Sequence, residues 1–217
     1  MNSTGSPGVF ITVDGGVTWT PASGISTDIY AVTYADQNTL YALNVNGSLY
    51  KSTDGGNNWI TITAPGGMIF GLNFANASFG VIGGEENIYA TTDGGTSWTT
   101  FYTGYENFYA TKAFSDGTAY VGGTDENIYI TTDFGNSWAT EHNGPGTSSL
   151  YRIRFTSNGT AFSCGSQGTI IKKEPELTAG FIAGDSTICI GNSVAFTDQT
   201  IGSPVSWNWT FEGGTPN

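Results

Sequence analysis

The stretch TVDGGVTW at residues 12–19 decides the fold of this chain, because it returns three times with few changes. The copies, which we call octapeptides, read STDGGNNW at residues 52–59, TTDGGTSW at residues 91–98 and TTDFGNSW at residues 131–138. Their aspartates, Asp14, Asp54, Asp93 and Asp133, are 40, 39 and 40 residues apart. A period this regular predicts one supersecondary unit repeated along the chain, as in solenoids and propellers.

Each repeat unit contains four short segments that are typical of β-strands. In the first complete unit they span residues 28–34, 39–43, 48–52 and 58–63, and they are rich in Tyr, Ile, Val and Thr between Gly, Asn and Asp. Equivalent first strands lie at residues 68–74, 108–114 and 149–155. Four strands in about 40 residues make one propeller blade. The sequence therefore predicts an all-β chain in which residues 1–174 form an incomplete β-propeller of about four blades.

The octapeptide has the residue types of a tight turn between the third and fourth strands of a blade. Glycine tolerates positive φ, and an aspartate carboxylate accepts hydrogen bonds from the amides of its own turn. The tryptophan then packs the turn against its blade. We expect a structural role for Asp14, Trp19, Asp54, Trp59, Asp93, Trp98, Asp133 and Trp138. One carboxylate per turn is too few for a calcium site, so no metal is predicted.

This phrase resembles the Asp-box, or BNR repeat, with the pattern S/T-x-D-x-G-x-x-W/F. The repeat occurs in sialidases, sortilin-type receptors, some xyloglucanases and propellers similar to photosystem II assembly factors. The resemblance covers residues 8 to about 173 and implies a propeller. The last unit, CGSQGTIIKKEPEL at residues 164–177, keeps a strand but lacks the Asp, Gly and Trp of the pattern.

After the charged stretch KKEPE at residues 172–176 the period stops, which predicts a domain boundary. Residues 178–217 resemble the first half of a PKD domain, an Ig-like β-sandwich, through the AGF opening, SVAFTD at residues 193–198 and WNWTF at residues 207–211. The EGG that follows departs from the usual G-D-G. About 40 residues are too few for a complete sandwich, so we expect this domain to be truncated. The resemblance implies a later partner for Cys189; a disulfide between Cys164 and Cys189 is the alternative.

Composition and charge exclude several classes of partner. The chain has 32 Gly, 14% aromatic and 11% charged residues, and its net charge is −12, which disfavours nucleic acid. No apolar run of 18 residues exists, so membrane insertion is not predicted. We expect an extracellular or cell-surface protein of a bacterium, with an export signal and further blades outside this sequence.

Catalytic groups are scarce. A sialidase site needs three arginines, and the chain has only Arg152 and Arg154. The single histidine, His142, does not favour zinc or a Ser-His relay. We predict no catalytic residue and no cofactor. A glycoside hydrolase needs only a carboxylate pair and stays the alternative. Its candidates are Asp28, Asp36, Glu85, Glu86, Glu106, Asp116, Asp125, Glu126 and Glu141.

Five residues are candidates for binding. Lys112, Arg152 and Arg154 fall in first strands, which lie innermost in a propeller, and they form either a basic spot for an anionic ligand or a set that neutralises nearby acids. Tyr102 and Tyr105 are candidates for a platform that stacks on a sugar or contacts a protein. The sequence thus predicts a non-catalytic extracellular recognition or adhesion module that binds a protein or glycan, with the PKD-like domain as a spacer.

Overall fold

The computed structural model describes residues 8–44, 46–175, 178–184, 194–200 and 206. The chain forms two compact units. The first consists of residues up to 154 together with 163–171, and the second of residues 155–162 together with those from 172 onward. Residues 155–162, which the repeat pattern assigns to the propeller, thus group with the second unit.

The first unit begins with a hairpin and a complete blade. Strands β1 (Phe10–Ile11) and β2 (Thr20–Pro21) pair antiparallel on either side of the first octapeptide. The blade that follows is a four-stranded antiparallel sheet in chain order, as predicted. Its strands are β3 (Ile29–Tyr34), β4 (Leu40–Asn44), β5 (Leu49–Ser52) and β6 (Ile60–Ile62).

The next two blades are joined by one continuous strand, Thr99–Ala113. The six strands are β7 (Ile69–Phe74), β8 (Gly80–Thr91), β9 (Thr99–Ala113), β10 (Ala119–Gly123), β11 (Ile128–Thr131) and β12 (Ala139–His142). The first half of β8 pairs with β7 and its second half pairs with the start of β9, with a register shift between Glu85 and Asn87. The second half of β9 pairs with β10. The sheet is therefore two four-stranded blades in which β8 and β9 each supply two blade strands without a break.

A three-stranded sheet and two 3-10 turns follow or interrupt the blades. Strands β13 (Leu150–Phe155), β14 (Ala161–Gly165) and β15 (Ile170–Lys173) form a three-stranded sheet, and 3-10 turns lie at Thr124–Glu126 and Ser166–Gly168. No helix in the described part of the chain is long and apolar enough to cross a membrane.

The cores of the first unit lie between neighbouring blades. Tyr41 is completely buried and stacks on Phe74 of the next blade, with ring centroids 3.5 Å apart. Its hydroxyl donates to the carbonyls of Ala77 and Gly94, also in the next blade, at 3.1 and 3.2 Å. Burial raises the pKa of Tyr41 to about 12. Hydrophobic contact and hydrogen bonding thus join consecutive blades at one residue.

The second unit contains two short strands within residues 178–217. Strands β16 (Phe181–Ala183) and β17 (Phe196–Asp198) pair antiparallel, and the rings of Phe181 and Phe196 meet edge to face at 5.7 Å. The predicted strand at residues 207–211 and Cys189 lie outside the described residues. Cys164, in the first unit, is exposed and carries a free thiol.

Candidate functional site on the innermost strands

The octapeptides form closed hydrogen-bonded turns at one end of the blades. In the third copy Thr91 Oγ1 donates to Asp93 Oδ1 at 2.8 Å and accepts from the amide of Gly95 at 2.9 Å. Asp93 also accepts from the amide of Ser97 at 2.9 Å and from its hydroxyl at 2.6 Å. The other three copies repeat this pattern, with Asn58 Nδ2 in place of a hydroxyl in the second.

These hydrogen bonds hold the aspartates in the charged form. In Asp93 and Asp133 the hydroxyl of the serine four residues on, then its amide, lower the carboxyl pKa to about 2. The amide and then the side chain of Asn58 lower the pKa of Asp54 to about 2, and Thr18 lowers the pKa of Asp14 further. The carboxylates are therefore occupied by their own turns, as a structural role requires.

Three of the four turn tryptophans contact the preceding unit as well as their own blade, where Trp59 packs with Ala42 and the ring of Trp98 meets Phe74. Trp98 Nε1 donates to the carbonyl of Thr63 at 3.0 Å. Trp59 is 3% exposed and packs with Ile25, which precedes its blade. Trp138 faces Phe101 with ring centroids 6.4 Å apart. Trp19 has the same turn but is 59% exposed. Burial of the ring therefore depends on the neighbouring unit.

The opposite end of the innermost strands carries a repeated aromatic residue on a β-bulge. In β3, Ile29 pairs with Asn44 while Ala31 pairs with Leu43, so Tyr30 is the extra residue. The same count leaves Phe70 extra in β7 and Tyr109 extra in β9. A bulge redirects the side chain of the extra residue and is common near functional sites. Tyr151 occupies the matching second position of β13.

These four residues form what we call the inner arc: Tyr30, Phe70, Tyr109 and Tyr151. Phe70 and Tyr109 have ring centroids 5.0 Å apart, and Tyr109 and Tyr151 are 5.4 Å apart and near edge to face. Burial raises the pKa of Tyr109, with smaller contributions from Tyr151 and Tyr30. Tyr30 is 58% exposed and Tyr151 is 44% exposed. Three rings of the arc, Phe70, Tyr109 and Tyr151, are thus in contact in series, and solvent reaches the arc at Tyr30 and Tyr151.

A polar layer follows three residues after the arc on the same strands. Its members are Thr33, Asn73, Lys112 and Arg154. Asn73 Oδ1 accepts from the amide of Ala113 at 2.8 Å, and Asn73 Nδ2 donates to Thr33 Oγ1 at 3.4 Å. Burial, and then the charge of Arg154, lower the pKa of Lys112. The innermost strands of the first unit therefore change from neutral to cationic along the series of blades.

Of the three predicted cations, Lys112 and Arg154 are linked by the effect of the Arg154 charge on the pKa of Lys112, which burial lowers more. Lys112 is half-buried on β9 with Nζ 5.0 Å from the ring centre of Phe114, and Arg154 is exposed on β13. Arg154 donates to the carbonyl of Ile153 at 2.9 Å, and Arg152, also exposed on β13, donates to the carbonyl of Tyr151 at 2.8 Å.

Tyr102 and Tyr105 lie away from the arc. Tyr102 pairs with Asn87 in the fourth-strand part of β9, and Tyr105 follows where β9 passes to the next blade. Both side chains are exposed, Tyr105 at 94%. Tyr102 is therefore on the outermost strand of its blade, and Tyr105 is on the connection to the next innermost strand.

The acidic candidates of the glycosidase alternative are spread over the blades: Glu85, Glu86, Glu106 and Glu141 are in strands, Asp125 and Glu126 in a 3-10 turn, Asp28 before β3, and Asp36 and Asp116 in turns after β3 and β9. Asn127 Nδ2 donates to Glu106 Oε1 at 2.7 Å, and Glu106 Oε2 is buried without a hydrogen-bond partner. Burial, and then the charge of Glu106, raise the pKa of Tyr129 to about 12. Glu126 is buried next to Asn127, whereas Glu85 and Asp125 are exposed. Within the described residues, no group of three or more His, Cys, Asp and Glu side chains is placed to hold a metal ion.

The inner arc was missed from the sequence, although a signal for it exists. Each innermost strand has an apolar residue followed by an aromatic one: Ile29-Tyr30, Ile69-Phe70, Phe108-Tyr109 and Leu150-Tyr151. This pair breaks the alternation expected of a regular strand, because a bulge follows.

The fold and the innermost-strand surface define a β-propeller repeat protein, in part-propeller form. Residues 1–108 match the family model of the DUF6242 beta propeller domain. A search of curated proteins finds no match.

Solved propellers resemble the chain in fold. The computationally designed Ika4 protein has a TM-score of 0.56 at 16% identity, over 69% of this chain and 92% of its own. YCF48 from Cyanidioschyzon merolae has a TM-score of 0.54 at 16% sequence identity, and the match covers 87% of this chain and 64% of YCF48. An ancestral GH74 enzyme has a TM-score of 0.53 at 17% sequence identity, and the match covers 77% of this chain but only 28% of the enzyme. At these identities the likeness shows the fold alone.

Proposed function

We propose that this chain is a non-catalytic protein-binding module that holds its partner against the inner arc. The observation that supports this most directly is the bulge. In three consecutive blades the strand register gains one residue, and in each the added residue is aromatic and belongs to the arc.

The chemistry of the arc suits a protein partner. Aromatic residues and arginine are enriched in protein interfaces, where they supply large contact area with few rotatable bonds. The arc side chains stand on paired strands, which hold them rigidly and lower the entropy cost of binding. At the other end of the blades, the turn aspartates have their hydrogen-bonding capacity filled internally. The inner edge is therefore the better candidate for recognition.

The finer role we propose is extracellular recognition or adhesion on a bacterial surface, with the PKD-like region as a spacer. The low charged fraction of 11% and the many glycines support it, together with the resemblance of residues 178–217 to a PKD domain. Immunodetection of the protein on intact cells, compared with lysed cells, tests the location. Signal only after lysis would contradict it.

Selection of ligands by the whole chain tests the binding role. The immobilised protein is panned with a random linear dodecamer peptide library and probed in parallel on a glycan array. We expect peptides to be enriched by the unaltered chain and lost with Tyr30→Ala/Tyr151→Ala. The matched control Tyr102→Ala/Tyr105→Ala removes two exposed tyrosines outside the inner arc and should keep them.

Three results would contradict the proposal. Loss of binding in the control pair alone would move the site to Tyr102 and Tyr105. Hits on the glycan array without peptides would favour a glycan ligand. Hydrolysis of a β-glucan that disappears on changing one carboxylate outside the octapeptides would favour the glycoside hydrolase alternative.

A further inference from the structure

The cations of the innermost strands have no carboxylate partners in the described part of the chain. The sequence has 18 acidic and only 6 basic residues. Half of the basic residues are Lys112, Arg152 and Arg154, and their polar contacts are backbone carbonyls or, for Lys112, a phenyl ring. The ion pair that the structure records joins Lys172 to Glu174 in the second unit. Neutralisation of nearby acids therefore does not explain why these three cations are on the innermost strands.

Two of these cations are also held close enough to oppose each other. Burial lowers the pKa of Lys112, and the charge of Arg154 lowers it further. Both effects make the charged form of Lys112 less stable in the folded chain. The chain has three times as many acidic as basic residues, and yet the charges of Lys112 and Arg154 have no carboxylate partner among the described residues. Such an arrangement suits a site where the opposite charge arrives with a ligand.

The position of the cations relative to the arc limits the ligand. Lys112 and Arg154 stand three residues after Tyr109 and Tyr151, which is about 10 Å along a strand. A ligand that uses both surfaces must carry an anionic group about that far from an apolar group. In an extended peptide, side chains two or three residues apart span about 7–10 Å.

Other anionic ligands fit less well. Three cations in a chain of net charge −12 give little attraction for a nucleic acid backbone. A sugar ring stacks on an open aromatic face, but the rings of Phe70, Tyr109 and Tyr151 are tilted onto one another at 5.0 and 5.4 Å. Tilted rings in contact instead leave edges and gaps suited to aliphatic or aromatic side chains.

We propose that the polar layer binds the carboxylates of an extended acidic peptide segment, through Lys112 and Arg154 with Arg152 beside them, while apolar side chains of the same segment pack on the inner arc. This inference rests on the proposed function, since it names the chemistry of the protein partner. The acidic remainder of the chain repels such a segment elsewhere, which favours binding at this one place.

The composition of selected peptides tests the inference. The whole chain and Lys112→Met/Arg154→Met are panned with the same dodecamer library. We expect peptides from the unaltered chain to carry Asp or Glu two or three residues from Leu or an aromatic residue, and the variant to lose this bias. The control Lys172→Met/Lys173→Met removes the same number of charges elsewhere and should keep it. The charge-preserving variant Lys112→Arg/Arg154→Lys should also keep it.

Affinities of a selected peptide give the size of the effect. By fluorescence anisotropy in 150 mM NaCl, the methionine variant should bind about tenfold more weakly or worse, the expected consequence of losing charge-assisted hydrogen bonds. The control should change by less than about twofold, because exposed charges are screened at this salt concentration. Circular dichroism melting of each variant checks that it is folded.

The outcomes separate the two proposals. Peptides that need Tyr30 and Tyr151 but show no acidic bias would overturn this inference and leave the binding role intact. Failure to select any peptide that depends on the arc would overturn the binding role itself. Binding of oligogalacturonate with the same dependence on Lys112 and Arg154, in the absence of peptide binding, would replace the acidic peptide with an acidic glycan.

Discussion

Two sets of repeated positions in the blades differ in how much their residues vary. One set is the octapeptide turns, and the other is the innermost strands. At the octapeptide end the same Asp, Gly and Trp recur, and the same hydrogen bonds recur with them. On the innermost strands the ring of the inner arc recurs, but the layer three residues further along each strand changes from Thr33 to Asn73, Lys112 and Arg154. Positions that must close a turn admit few residue types, whereas a surface that contacts something else is free to vary. Variation within a repeat therefore points to the binding surface.

The largest expected effect is on a buried turn tryptophan. Trp59→Ala should lower the free energy of unfolding by about 3–5 kcal/mol, because the ring is 3% exposed and its removal leaves a cavity. Trp19→Ala is the matched control. It removes the same residue from the same kind of turn, but the ring is 59% exposed, so the loss should be below about 1 kcal/mol. Urea denaturation followed by circular dichroism measures both, and equal losses would show that the turn itself, not the neighbouring unit, sets the contribution.

Acid should weaken the turns together. The folded-state pKa of Asp54, Asp93 and Asp133 is about 2, below the ordinary value of 3.8, so the unfolded chain binds protons first as pH falls. The stability that these carboxylates contribute is complete above about pH 4 and is lost as pH falls towards about 2. Melting temperatures measured across this range should decline, and the decline should be shallower in Asp54→Asn/Asp93→Asn. An unchanged slope in that variant would assign acid sensitivity to other carboxylates.

A smaller effect is expected where a hydroxyl joins two blades. Tyr41→Phe removes a buried donor that serves the carbonyls of Ala77 and Gly94, and it should cost about 1–2 kcal/mol. Tyr34→Phe removes a hydroxyl from an exposed side chain and should change stability by less than about 0.5 kcal/mol. The same urea experiment compares them. If Tyr41→Phe is as mild as its control, the contact between these blades depends on ring stacking alone.

The smallest effect on stability is expected at the polar layer. Lys112→Met/Arg154→Met should shift the unfolding free energy by less than about 0.5 kcal/mol, because both cations lack carboxylate partners among the described residues. Any shift should be stabilising, since the charges oppose each other. A loss above about 1 kcal/mol would mean that the cations support the fold. The contrast between the octapeptide turns and the polar layer would then be lost.

Local patterns in the sequence were enough for the architecture. The 40-residue period and the four segments per unit predict the all-β class and the four-stranded blades, and both are present. Packing of the tryptophans on their own blades was expected, but the additional hydrogen bond from Trp98 to Thr63, 35 residues earlier, was not, because turn chemistry does not specify the neighbouring unit. The continuous strands were also missed: β8 supplies two strands of one blade, and β9 supplies the last strand of that blade and the first strand of the next.

The candidate site was predictable only in part. Counting cations in first strands picks out Lys112, Arg152 and Arg154 from the sequence. The bulges that define the inner arc depend on strand register, which is a property of two strands and not of one. That Lys112 and Arg154 oppose each other while both lack an acid likewise depends on which strands are neighbours.

The contacts of Trp59, Trp98 and Trp138 with the preceding unit bear on how such a chain grows by duplication. The segment that is copied, about 40 residues ending after a turn, brings with it the side chain that fills the space in its predecessor. A new copy therefore arrives with one interface already made, and the array can lengthen without a matching mutation in the older copy. The repeated segment and the packed interface therefore do not coincide, because the tryptophan at the end of one segment packs on the segment before it. This offset makes the repeat easy to extend.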